Sequence, residues 1–187
     1  MKMPLILVLV MFAAGSAAAQ SCPPPPDHAA QLDRLIEDIA VAEDEGAAQQ
    51  ISNQMWELWA DAPDAAAQAI LDRGMSKRAG WDLLGARAEF DRLVEYCPDY
   101  AEGYNQRAFV NFLAQNYAAA LVDLDLALER SPRHVAAMSG KALSLLALGR
   151  VGEARDVLQE ALALNPWLPE RGLAAPGGPL EPPGDDI

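Results

Sequence analysis

Proline, alanine and bulky apolar positions return along this chain at a fixed interval of 34 residues. Pro98, Pro132 and Pro166 keep this step. Three further sets of equivalent positions, here called columns, follow the same interval. These columns hold Ala86, Ala120 and Ala154; Phe90, Leu124 and Leu158; and Gly74, Ala108 and Ala142. Four columns with one interval indicate an internal repeat, in which each unit buries its apolar face by stacking on the next unit.

The unit over residues 101–134 shows what each column does. Apolar spacing near 3.6 predicts one helix over 102–115 and a second over 117–130. Ala108 and Ala120 are expected where these two helices cross, because small side chains let the backbones approach to roughly 8–10 Å. The proline that follows ends the second helix, since it lacks an amide hydrogen and clashes with the preceding turn.

A unit of this length with two helices resembles the tetratricopeptide repeat (TPR). The resemblance implies an all-α fold, a right-handed superhelical stack of helix hairpins that forms an α-solenoid. It covers three units, at 67–100, 101–134 and 135–168.

The sequence departs from the family pattern at the seventh position of each unit, which usually holds leucine. Here it holds Arg73, Arg107 and Lys141. Glu89 and Asp123 stand at matching positions of the second helices. We therefore expect the ion pairs Arg73–Glu89 and Arg107–Asp123 within the units. The alternative is that the arginines bind a ligand.

Residues 1–19 have the order of features found in a secretory signal peptide. Lys2 precedes an apolar run, and three alanines end the stretch. We expect cleavage after Ala19 and a periplasmic protein. One alternative is an uncleaved membrane anchor, although the apolar run is shorter than the roughly 20 residues that span a bilayer. The other is a lipid on Cys22, although the residues before it do not match the usual lipoprotein pattern.

The regions outside the three units have their own predictions. Residues 20–27 are expected to be an extended Pro-rich spacer. Residues 28–66 are predicted to form a divergent helical hairpin, which is either a first repeat with a shifted register or an unrelated hairpin that caps the stack. Residues 169–187 are rich in Pro, Gly and acidic side chains, and we expect a disordered tail.

The chain has two cysteines, Cys22 and Cys97. An even number of cysteines in an oxidising compartment makes a disulfide between them a reasonable expectation. The alternative is two free thiols, with Cys97 buried between repeats.

The inventory of reactive side chains does not favour an enzyme. His28 and His134 are the only histidines, and neither has a metal-ligand spacing. Nucleophile-elbow and nucleotide-binding motifs are missing from the sequence. We expect no catalysis, no cofactor and no metal. The formal net charge of −13, which loss of Lys2 makes −14, argues against nucleic acid as a partner.

The resemblance implies a binding wall built from the first helix of each unit. In the family this wall comes mainly from the second, fifth, sixth, ninth, twelfth and thirteenth positions. The ninth position holds Met75, Phe109 and Leu143, which predicts an apolar ladder unless Phe109 and Leu143 belong to the core. The predicted groove residues, for a protein or peptide partner, are Leu71, Asp72, Met75, Asn105, Gln106, Phe109, Ser139 and Leu143.

Two further expectations concern the partner. Asp72 and Glu102 should favour a ligand with positive charge at one end of the wall. A second candidate surface is the end of the stack, where Leu158 and Leu162 have no following repeat to cover them. The clamp of Lys, Arg and Asn that some members place around a terminal carboxylate is not matched at its positions.

The sequence as a whole predicts an exported scaffold that mediates protein–protein interaction. One rival is a cell-envelope assembly factor tethered at its N-terminus. The other is a regulator or enzyme with an unrecognised site.

Overall fold

The computed structural model describes residues 21–182. Over this range the chain is all-helical, with eight α-helices and a final 3₁₀-helix. The α-helices are α1 (Ala29–Ala40), α2 (Glu45–Trp59), α3 (Ala65–Ala79), α4 (Leu83–Tyr96), α5 (Ala101–Leu113), α6 (Tyr117–Arg130), α7 (Val135–Ala147) and α8 (Val151–Leu164). The predicted signal peptide, 1–19, lies outside the described residues. None of the described helices is both long and apolar enough to span a membrane.

Helices α3–α8 form three hairpins that stack as a solenoid. Each hairpin packs within itself, and the second helix of one unit packs on the first helix of the next, α4 on α5 and α6 on α7. The predicted helices of the middle unit are confirmed, with α5 starting one residue early and ending two residues early.

The close helix crossings are where the small residues predicted them. Ala108 and Ala120 are buried where α5 meets α6. In the preceding unit, a Cβ on Gly74 would overlap the ring of Phe90. A larger side chain at these columns would therefore push the two helices apart.

Both predicted ion pairs are confirmed. Arg73 Nε lies 3.3 Å from Glu89 Oε2, and Arg107 Nη2 lies 2.6 Å from Asp123 Oδ1. Lys77 Nζ also donates to Glu89, at 2.8 Å. The hydrogen bond from Lys77, followed by the charges of Lys77 and Arg73, holds the pKa of Glu89 below its usual value. These basic side chains stabilise the hairpins.

The N-terminal hairpin, α1 and α2, does not continue the stack. Helix α2 makes no packing contact on α3 comparable to that of α4 on α5. Instead, Ile39 and Met55 of the hairpin belong to an apolar cluster with residues of α7, of α8 and of the segment after α8. The divergent-repeat interpretation is therefore wrong.

The hairpin lies along the edge where each unit turns into the next. The Tyr100 hydroxyl, before α5, donates to the Trp59 carbonyl at 2.8 Å. The Trp59 ring stacks on His134, before α7, with 4.2 Å between ring centroids. Asn165, after α8, donates to Ser52 Oγ at 3.4 Å. The hairpin therefore covers one edge of the stack, and not one of its ends.

A disulfide fastens the segment before this hairpin. Cys22 and Cys97 are bonded, with their Cα atoms 5.1 Å apart, and there is no free thiol among residues 21–182. Pro25 and Pro26 lie beside Asp99 and neighbouring residues of the turn after Cys97. The prolines are thus held against the fold, and residues 21–27 do not act as a separate spacer.

The expected disorder of 169–187 is wrong for the described part of that segment, 169–182. Pro169–Leu173 forms the 3₁₀-helix. Leu180 is fully buried in a cluster with Leu145 and Leu158, and Arg155 Nε donates to the Glu181 carbonyl at 2.9 Å. Composition predicted disorder because it does not show that one leucine is enough to anchor a polar segment on the apolar end of the stack.

Candidate functional site

The largest part of the predicted wall lies in one cavity of about 360 Å³, here called the groove. Helices α5 and α7 form its floor, α2 closes one side, and the segment after α8 closes another. The lining residues are Trp56, Arg78, Asn105, Gln106, Ala108, Phe109, Phe112, Leu124, Ala136, Ser139, Gly140, Leu143, Ser144, Leu168, Pro169 and Glu170.

Helical spacing explains why α5 and α7 present these side chains together. On α7, Ala136, Ser139, Gly140 and Leu143 follow the i, i+3, i+4, i+7 pattern that places residues on one helix face. Phe109 on α5 has 44% of its surface exposed, which is unusual for a phenylalanine. The floor therefore offers apolar surface flanked by small and polar groups.

Five of the eight predicted groove residues line this cavity: Asn105, Gln106, Phe109, Ser139 and Leu143.

The three predicted groove residues on α3, Leu71, Asp72 and Met75, do not line the cavity. Leu71 is fully buried, so its assignment to the groove is wrong, and Met75 packs against the same core cluster. Ala60 and Ala62, from the connection between α2 and α3, join that cluster and cover the face of α3. Asp72 is exposed, lies outside the cavity and accepts a hydrogen bond from Gln68.

Other lining residues were missed by the sequence analysis. Arg78 and Phe112 hold the twelfth position of their units, one of the family's wall positions, so a signal for them existed. Trp56, Pro169 and Glu170 lie outside the repeats. No repeat column could have identified them.

The groove has one cationic side chain, Arg78. Its guanidinium lies over the Phe109 ring, 4.7 Å from the ring centroid, and donates a hydrogen bond to Gln106 Oε1. Burial lowers the pKa of Arg78, while the charge of Glu102 acts in the opposite direction. At the other wall, Glu170 Oε2 is buried without a hydrogen-bond partner among the described residues.

A buried hydrogen-bond network supports the α5 wall. Glu102 accepts from His134 Nε2 at 2.8 Å, from Asn105 Nδ2 at 2.9 Å, and from Gln106 Nε2. His134 Nδ1 accepts the Ala137 N–H at 3.3 Å, so Nε2 carries the ring hydrogen. The network fixes the side chains of Asn105 and Gln106 where they face the groove.

The electrostatics of Glu102 differ from the sequence expectation. Burial alone would raise the pKa of this carboxyl group, but the hydrogen bond from His134, together with the Gln106 and Asn105 bonds, lowers it overall. Because Glu102 is almost fully buried, it cannot contact a ligand's positive charge, and that prediction is wrong for this residue.

Both histidines have structural contacts. His134 is fully buried, and His28 Nε2 lies 2.8 Å from Asp61 Oδ2. Among residues 21–182 there is no group of three or more His, Cys, Asp or Glu side chains placed to hold a metal ion. The groove can bind through apolar contact, hydrogen bonds and two charges.

The rival surface at the end of the stack is covered. Leu158 is fully buried beneath Leu180, and Leu162 is partly buried against neighbouring clusters. The segment after α8 thus removes the apolar face that the repeats alone would expose.

Helix hairpins that stack in this way define the class of α-helical repeat folds. The family model described as tetratricopeptide repeat matches residues 112–167. A TPR repeat-containing protein of Rhizobium etli is 31% identical over 121 residues, which cover 62% of this chain and 56% of that protein. This chain therefore spans little more than half the length of that curated relative.

Two solved structures share the fold. The first TPR of Spaghetti (RPAP3), bound to the HSP90 peptide SRMEEVD, has 21% identity and a TM-score of 0.53, and the match covers 54% of this chain and 79% of that one. The TPR2B domain of yeast Sti1, in complex with pHsp70, has 22% identity and a TM-score of 0.54, covering 61% and 90%. Residues 112–167 therefore match the tetratricopeptide repeat family, and the described helices share the fold of solved TPR domains.

Proposed function

We propose that this protein is an exported, non-catalytic scaffold that holds a segment of a partner protein in the groove. The TPR fold supports a role in protein–protein interaction. The observation that carries the proposal is the half-exposed Phe109 in a preformed cavity of about 360 Å³. Exposed large apolar side chains within a concave surface are typical of binding sites.

The shape of the groove supports a peptide-like partner. A cavity of this size accommodates a few side chains of an extended segment or one face of an amphipathic helix. Asn105 and Ser139 beside the apolar floor provide hydrogen-bonding groups for a backbone. The Spaghetti and Sti1 domains bind an HSP90 peptide and pHsp70, which supports the same kind of partner here.

The N-terminal sequence and the disulfide support export. Residues 1–19 follow the order of a signal peptide. The bond between Cys22 and Cys97 is of a kind that persists in oxidising compartments such as the periplasm. Mass spectrometry of the exported chain should find a start at Gln20. A retained N-terminus, or a lipid on Cys22, would instead support the tethered assembly factor.

Site-specific photo-crosslinking in cells tests the groove directly. A benzoylphenylalanine at position 109 should yield an adduct of one size, and Leu143→Asp should abolish it. The matched control is position 122, since Val122 is 60% exposed on α6 of the same unit but lies outside the groove. The same adduct from both positions, or from position 122 alone, would place binding elsewhere.

A further inference from the structure

The two charged side chains of the groove have no partner of opposite sign among residues 21–182. Arg78 makes one side-chain hydrogen bond, to the neutral Gln106, although a guanidinium carries five N–H donors. Glu170 keeps one carboxylate oxygen buried and without a donor. Arg78 and Glu170 are each only partly buried, so both charges are accessible to a partner from outside the chain.

These charges come from opposite ends of the stack. Arg78 belongs to α3, in the first unit, and Glu170 follows α8, in the last. The apolar side chains Phe109 and Leu143 belong to α5 and α7, which lie between them in the order of stacking. In the order of stacking, the groove thus has a cation, then apolar surface, then an anion.

Two nearby charged groups, Glu102 and Lys77, do not line the groove and are held by other side chains of the protein. Glu102 is enclosed by His134, Asn105 and Gln106. Lys77, one residue before Arg78, forms a salt bridge with Glu89 of α4. The polarity of the groove is therefore set by Arg78 and Glu170.

We infer that the groove selects a bipolar protein segment, with an acidic residue at Arg78, apolar side chains on Phe109 and Leu143, and a basic residue at Glu170. This inference rests on the proposed function of the groove and adds the charge order of its ligand. Acidic residues at both ends of a segment would bring like charges together at Glu170, and basic residues at both ends would do so at Arg78. Like-charge contacts of this kind discriminate between partners.

Four fluorescein-labelled peptides with one apolar middle test the charge order: DDGLAFGKK, DDGLAFGDD, KKGLAFGKK and QQGLAFGQQ. Fluorescence anisotropy with the disulfide-bonded protein should show the bipolar peptide binding roughly tenfold tighter than either single-sign peptide, from two charge contacts together. Added salt should narrow this difference, since exposed charges are screened.

Charge-reversal variants should change which of the four peptides binds most tightly. Arg78→Glu makes both ends of the groove acidic, so KKGLAFGKK should become the best ligand. Glu170→Lys makes both ends basic, so DDGLAFGDD should become the best. Arg87→Glu is the control, because Arg87 is exposed on α4 outside the groove and its reversal should leave the order unchanged. If a reversed variant fails to fold, Arg78→Gln and Glu170→Gln should each reduce the preference for the bipolar peptide.

The outcomes separate this inference from the proposed function. Equal binding of all four peptides, weakened in every case by Phe109→Ala, would overturn the charge order and leave the groove as a binding site. Best binding of a single-sign peptide by the unaltered protein would also overturn it. A lack of binding by every peptide would reject the charge order, while crosslinking at position 109 tests the proposed function independently.

Discussion

The repeat stack, residues 65–164, and the N-terminal hairpin, residues 29–59, are both built from paired helices, but different contacts hold them. In the stack, each helix packs on its neighbour in sequence through small residues such as Ala108 and Ala120. The hairpin is held by contacts with distant residues, among them Trp59 on His134, and by the nearby disulfide. A repeated column records nearest-neighbour contacts only, and the hairpin has no such column.

The groove depends on both regions. Phe109 and Leu143 come from the stack, whereas Trp56 comes from the hairpin. A binding surface assembled in this way requires that the hairpin stay in place. The following predictions test how firmly each region is held, from the largest expected effect to the smallest.

In the stack, Phe90→Ala should destabilise the whole chain. Phe90 is fully buried between α3 and α4, and removing such a ring costs about 3–5 kcal/mol. Urea unfolding should show this loss. The control on the same helix is Leu84→Ala, because Leu84 is 85% exposed and its truncation should change stability by no more than about 0.5 kcal/mol. Equal effects of the two substitutions would contradict the packing described here.

At the junction of the two regions, His134→Ala should cost about 3 kcal/mol, because it leaves the buried Glu102 carboxylate without its main partner. It also removes the ring on which Trp59 stacks. Amide hydrogen exchange should therefore accelerate in α1 and α2 as well as near the junction. Adding Glu102→Gln should recover part of the loss, since it removes the buried charge. A double variant less stable than His134→Ala would argue against an ionised Glu102.

Loss of the disulfide should act mainly on the hairpin. The bond links residues 75 apart in sequence, and closure of a loop of this length contributes up to about 4 kcal/mol. In Cys22→Ser with Cys97→Ser, hydrogen exchange should accelerate in α1 and α2 more than in α5 and α6. Uniform acceleration over all helices would show that the hairpin and the stack unfold as one unit.

A smaller effect is expected from pH. Because the folded pKa of Glu102 lies below its usual value of 4.5, the ionised carboxylate stabilises the fold above about pH 4.5. That contribution is lost as the pH falls through the folded pKa, since the unfolded chain takes up the proton first. The stability difference between the unaltered protein and Glu102→Gln should therefore shrink below pH 4.5. If this stability difference grew as the pH fell, the folded pKa of Glu102 would lie above its usual value and not below it.

The sequence predicted what the repeat columns encode. The helix crossings at Ala108 and Ala120 and the ion pair Arg107–Asp123 follow from local periodicity, because each partner lies within one unit. The same logic identified Phe109 and Leu143 in the groove. It failed for Leu71, since residues outside the repeats cover that face of α3.

The rest of the structure depends on contacts with no periodic signal. Trp59 stacks on His134 where the hairpin meets the repeats, and Leu180 packs in one cluster with Leu158 at the end of the stack. Each is a single pairing of distant residues. Composition correctly indicated few regular elements after residue 168, but it could not indicate that one apolar side chain would fix the segment.

Binding of DDGLAFGKK to three truncation variants tests most directly whether the groove spans both regions. Trp56→Ala from the hairpin and Phe109→Ala from the stack should each weaken binding by about tenfold, as expected for aromatic residues at the centre of an interface. Trp81→Ala is the matched control, because Trp81 is 69% exposed in the turn between α3 and α4 and lies outside the groove. The affinity of this variant for DDGLAFGKK should equal that of the unaltered protein. Weaker binding by Trp81→Ala with normal binding by Trp56→Ala would contradict the account.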